Sequence, residues 1–236
     1  PFQNQCVRDF QALYAGGRGR YFQARAGDLS MDRKLIDTFR DAMNYNGFGA
    51  YKFSNINGKN KWNCICSAMD WITVAVDGID YNPNLTYIGH RASGSIMVLT
   101  LILRIALIKE GNEQLHRVFY DTKEVFLNDS CDVWNKHPFG ETDNAHFETI
   151  RACFGAHPVN IKAYGGQDSG RMFASWSYVG FDDFSVLLYP SSAKGNNIDL
   201  SISFEKLEKY TALRYEHLRD LLSLNTETES FAGDLF

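Results

Sequence analysis

The apolar residues of this chain follow helical spacing first and strand spacing later. Between Met31 and Asn44, Leu35, Ile36, Phe39 and Met43 recur three and four apart. This predicts an amphipathic helix with Ser30 as its N-cap. Gly47, Gly49 and Asn55-Ile56-Asn57-Gly58 then mark a loop. Trp62, Ile65, Met69, Ile72 and Val76 form a second stripe and predict a helix over 62–79. After Asn82-Pro83-Asn84, a third helix is expected to start near Ser93 or Ser95. It runs through the apolar stretch Ile96–Ile108, and either continues past Gly111 to about Phe126 or bends there. The stretch 128–140 reads as a loop. Asp143 is a suitable N-cap for a fourth helix carrying Phe147, Ile150 and Phe154, which Gly155 and Pro158 should end near Ala156.

The period then changes. Residues 171–178, 184–189 and 198–202 predict short strands joined by Gly/Asp and Ser/Gly/Asn turns. A final amphipathic helix is expected from Phe204 to Leu224, with Leu207, Tyr210, Leu213, His217, Leu218 and Leu221 on or near one face. The predicted fold class is mainly α: one helical bundle over 30–224, with a small antiparallel β insertion at about 170–203 before the last helix. Residues 1–29 form an N-terminal extension in which Gly16-Gly17-Arg18-Gly19-Arg20 reads as a connector. An acidic, loose tail is expected over 225–236.

Composition supports a packed core. With 236 residues, 44% hydrophobic and 22% charged, the chain can bury a core without disulfides or metals. The net charge of −4 disfavours a broad nucleic-acid-binding surface while leaving room for a small phosphate site. Five cysteines at irregular spacing, with Cys64-Ile-Cys66 as an isolated pair, read as reduced thiols and fit a cytoplasmic protein. No signal-peptide pattern opens the chain, and the run Ile96–Ile108 is short for a membrane span and interrupted by Arg104.

Several chemical motifs are absent. There is no Walker A loop, no dinucleotide-binding glycine pattern and no Gly-x-Ser-x-Gly elbow. His146-Phe147-Glu148 has the His-x-Glu form of zinc deaminases, but the paired cysteines that would complete the site are missing. No cofactor or metal is therefore expected. His90-Arg91, His116-Arg117 and His137 read as surface or loop residues. Tyr164, Trp176 and Tyr178 could stack on bases, or simply pack.

One segment carries candidate chemistry: Ala145-His146-Phe147-Glu148-Thr149-Ile150-Arg151-Ala152-Cys153-Phe154-Gly155-Ala156-His157-Pro158. Arg151 precedes His157 with five residues between, at the end of an amphipathic helix. This resembles the R-x(4–6)-H motif of the HEPN superfamily, which comprises helical RNases and related modules of toxin–antitoxin and antiviral systems. The resemblance covers about residues 30–160 loosely. It implies a HEPN-like bundle and a metal-independent endoribonuclease, a toxin or phage-defence component. RNA would be the substrate, the products would carry 2′,3′-cyclic phosphate and 5′-hydroxyl ends, and an antitoxin or defence-system protein would be a partner. It also implies a homodimer in which two motifs face each other.

The residue types suit that chemistry. Metal-free RNA cleavage moves protons at the 2′-oxygen and the leaving 5′-oxygen, and needs positive charge on the phosphate. Histidine titrates in the right range, and arginine stays charged and can grip phosphate with paired hydrogen bonds. His157 would be the general acid/base and Arg151 the phosphate holder, with His146 and Glu148 as further substrate contacts. On an unbroken helix, residues six apart stand about 240° and about 9 Å apart. Either the helix ends before His157 or a second protomer completes the site. Ala152 follows the arginine where many family members carry a polar residue. That and the acidic charge support the other account, a non-catalytic HEPN-like dimerisation or partner-binding module. There Arg151 would pair with a carboxylate such as Glu148.

Overall fold

The computed structural model describes residues 31–80, 91–127, 129–134, 142–156, 160–161, 170–177 and 184–232. The expected extension over 1–29, Ser30, His90, His137, His157, Tyr164 and Tyr178 lie outside the described residues.

Helix α1 (Arg33–Asn44) buries Leu35, Ile36, Phe39 and Met43, as their spacing predicts. Its N-cap is Asp32, whose carboxylate accepts from the Lys34 N–H at 3.1 Å. The chain then turns through Asn46 (φ 48°) and Gly47 (φ 73°) into the short α2 (Phe48–Phe53). Helix α3 (Trp62–Asp80) buries Ile65, Met69, Ile72 and Val76. Helix α4 (Arg91–Phe119) runs through Gly111 without ending there and stops before Phe126. Glycine is needed at 111 because α3 crosses there: a Cβ would stand 2.6 Å from Ile72 Cγ1.

Helix α5 (Asp143–Arg151) differs from expectation at its start, and its helical backbone reaches Ala156 as expected but changes type on the way. Thr142, not Asp143, is the N-cap, its side chain accepting from the Ala145 N–H at 3.2 Å. Asp143 instead sits in the first turn with its carboxylate buried. It accepts from the N–H groups of Asp132, Val133 and Trp134 and from the Ser130 hydroxyl, at 2.9–3.1 Å. Four donors on one carboxylate tie the segment before α5 onto its N-terminus, a use that outcompetes capping. At the other end the α-helix closes at Arg151 and continues as one π-helical turn over Ala152–Ala156.

Strands β1 (Met172–Ser177), β2 (Phe184–Pro190) and β3 (Ile198–Ile202) form an antiparallel sheet in the order β1-β2-β3, with Ala174 opposite Leu188 and Leu188 opposite Ile198. The predicted strands are thus present, placed between α5 and the C-terminal helical region. The predicted last helix is divided at Glu216 into α6 (Phe204–Tyr215) and α7 (His217–Ala232). The backbone stays helical to Ala232, so the tail expected to be loose from Asn225 is helical over most of its length.

Two buried clusters result. The first joins the start of α4 (Val98, Leu101, Ile102, Ile105), α5, the sheet and the start of α6. The second joins α1, α3, the end of α4 (Ile108, Leu115) and the α6–α7 junction (Tyr215, Leu218, Leu221). Helix α4 belongs to both, so the residues of its middle turns sit between two apolar masses. The fold class is mainly α with a small antiparallel sheet. Among the described residues no helix is long and apolar enough to cross a membrane.

Candidate functional site

The middle of α4 faces α5 with charged groups rather than apolar ones. The sequence Lys109-Glu110-x-x-Glu113 puts Lys109 and Glu113 one turn apart on the same face. On α5, Glu148 and Arg151 are likewise one turn apart. Arg151 Nη1 donates to Glu110 Oε1 at 2.6 Å and to Glu148 Oε2 at 3.4 Å. The other Glu148 oxygen pairs with Lys109 Nζ at 3.0 Å, and Lys109 also reaches Glu113 Oε1 at 3.1 Å. The result is one chain of ion pairs: Glu110, Arg151, Glu148, Lys109, Glu113. Its outer end is solvent-accessible, with the Arg151 side chain 37% and that of Glu110 47% exposed. Its inner end, Lys109 and Glu113, is nearly enclosed. Three carboxylates against two cations leave the chain formally negative.

Behind it lies a second polar group. Asn144 Oδ1 accepts from Arg214 Nη2 at 2.6 Å, Arg214 Nε at 3.1 Å and the Tyr210 hydroxyl at 2.9 Å. Arg214 Nη1 donates to the Tyr210 carbonyl at 3.1 Å, and its guanidinium carbon lies 3.4 Å from the Tyr210 ring centroid. Arg214 is 2% exposed. Burial pulls its pKa down, opposed by the Tyr210, Asp143 and Glu113 groups. Burial raises the Tyr210 phenol, so it acts as a hydrogen-bond donor.

The four sequence-predicted residues are placed differently from one another. Arg151 and Glu148 come together as an ion pair. His146 is buried, its ring 4.6 Å from that of Trp134 in the first core. His157 lies outside the described residues. Sequence reasoning missed Lys109, Glu113, Asn144 and Arg214, because a search for apolar stripes passes over polar residues on buried faces. The signal available was the Lys109–Glu113 pair on an otherwise apolar helix. On α6 the predicted stripe holds at Leu207 and Tyr210 and departs at one position, where Leu213 is exposed and Arg214 is buried.

No family model, curated protein or solved structure matches the chain. The site's chemistry follows from its own residues. It can hold two helices together and present a ridge of mixed charge to solvent.

Proposed function

We propose that this chain is a non-catalytic, HEPN-like module that binds a protein partner, in the first instance a second copy of itself. The observation that carries this reading is the pairing of Arg151 with both Glu110 and Glu148. Half-exposed ion pairs are worth only about 0–1 kcal/mol, so a phosphate could break them at little cost. The carboxylates would remain, however. A phosphate on Arg151 would stand beside both carboxylates, and at this half-exposed site each repulsion is screened to the same scale as the ion pairs, about 0–1 kcal/mol, so the site's net negative charge sets the sign. Lys109 offsets part of one of these. The balance disfavours an RNA phosphate.

A binding surface is available on α3. Trp71 and Val74 are 53% and 56% exposed, beside a concavity lined by Asn63, Cys66, Ser67 and Asp70. An exposed Trp on a helix face is a characteristic anchor of protein interfaces. Sedimentation velocity tests the reading: the native protein should dimerise, and Trp71→Lys should yield monomer with an unchanged circular dichroism spectrum. A native monomer, or a dimer indifferent to Trp71→Lys, would count against it.

One feature favours the second reading, a metal-independent endoribonuclease. The π-helical turn begins directly after Arg151, inside the Arg151–His157 interval. Single π turns often occur at functional sites and shift the direction of the residues beyond them. In this reading Arg151 exchanges its carboxylates for phosphate when RNA binds, and His157 is the general acid/base.

A further inference from the structure

A separate titratable cluster joins α7 to the end of α4. His116 Nδ1 lies 3.0 Å from His217 Nε2, and His217 Nδ1 lies 3.0 Å from Asp220 Oδ2. His217 is 3% exposed. Its ring is stacked on Phe126, with centroids 3.6 Å apart and planes within 13°, and faces Tyr120 at 6.3 Å. His116 packs against Tyr120 at 4.5 Å and Phe126 at 5.6 Å.

The distances fix the protons. A carboxylate only accepts, so His217 carries its proton on Nδ1. A neutral His217 then offers a lone pair at Nε2, and His116 Nδ1–H must donate to it. One added proton can be accommodated. His217 becomes an imidazolium between Asp220 and the Nδ1 lone pair of His116, whose own proton moves to Nε2. A second proton cannot, because two cationic N–H groups would then point at each other with no acceptor between them.

We propose that the His116–His217–Asp220 chain is a proton-operated latch that holds the first turns of α7 on α4 near neutral pH and releases them in mild acid. The charged and titratable groups facing it are Arg117 from α4, Tyr120 and Glu124 from the segment after α4, and Asp220 from α7. Burial lowers both histidines from the ordinary value of 6.5, with Arg117 adding to this for His116 and Glu124 and Asp220 opposing it. The two rings also repel each other's charge, so they titrate as a coupled pair. With native values below the unfolded ones, the unfolded state binds more protons. The contribution of the latch is therefore full above 6.5 and falls as the pH drops below it.

Hydrogen exchange of the Leu218–Leu224 amides, corrected for intrinsic rates, tests this at about pH 7.5 and about pH 5.5. Native protein should lose about tenfold or more of its protection at the lower pH, as expected for roughly one coupled proton. His217→Phe keeps the stack on Phe126 and removes the His217 titration and its coupling to His116. His116→Gln keeps a donor toward His217. In both variants the pH-dependent loss should shrink to within about twofold. Native protection that is equal at the two pH values, or a loss that persists in both variants, would overturn the latch. If one variant does not fold, the other decides.

Discussion

Arg151 on α5 donates to Glu110 on α4 at 2.6 Å, and the same guanidinium nitrogen reaches Glu148 at 3.4 Å. The residue that resembles a phosphate-holding arginine is thereby bound to its own chain, in surroundings richer in carboxylates than in cations. Its first role is to fasten α5 to the middle of α4.

That role is measurable. A double-mutant cycle of Arg151→Met and Glu110→Gln, followed by urea unfolding, should give a coupling of about 0.5 kcal/mol, because both side chains are more than a third exposed. A coupling above about 2 kcal/mol would mean that the pair is far more shielded than its exposure suggests.

Removing the carboxylates should change what Arg151 can hold. Glu110→Gln with Glu148→Gln leaves Lys109 and Arg151 without two of their counter-charges. Fluorescence anisotropy at low salt should show single-stranded RNA binding about tenfold or more tighter than to native protein, with a steeper salt dependence. Unchanged affinity would show that these carboxylates are not what excludes phosphate.

The inner polar group should be far more sensitive. Asn144→Leu removes the acceptor of Arg214 Nε and Nη2, leaving Nη1 on the Tyr210 carbonyl, and should cost about 2–3 kcal/mol in chemical denaturation. Tyr210→Phe removes only one neutral donor to Asn144 and should cost about 1 kcal/mol. Equal costs would mean that Arg214 finds another partner when Asn144 is lost.

Thiol chemistry reads out the first core. Cys153 is buried, and burial pushes its pKa up to about 12. At about pH 8 only about one Cys153 in ten thousand would be thiolate in the native state. Iodoacetamide followed by mass spectrometry should modify the exposed Cys131 in the folded protein and Cys153 only after denaturation. Rapid native labelling at Cys153 would show that the π turn opens.

The sequence exposes the fold more fully than the site. Leu35, Ile36, Phe39 and Met43 mark α1 because helical periodicity reflects burial directly. The strands are readable from their turns and alternating residues. The N-cap of α5 is ambiguous in sequence because Asp143 and Thr142 are both good caps, and only the folded segment 130–134 supplies the donors that claim Asp143. The pairing of Arg151 with Glu148 is open to prediction at helical spacing. Its pairing with Glu110 is not, since it depends on how α4 and α5 cross. Asn144 and Arg214 are 70 residues apart in the chain, and no local pattern announces their contact.

The most direct test of the account is incubation of the native protein with a mixed RNA pool in EDTA, alongside His157→Ala, with the RNA ends analysed for 2′,3′-cyclic phosphate. No such ends are expected from either protein. Cyclic-phosphate ends produced by the native protein and lost in His157→Ala would contradict the non-catalytic reading and establish the endoribonuclease reading.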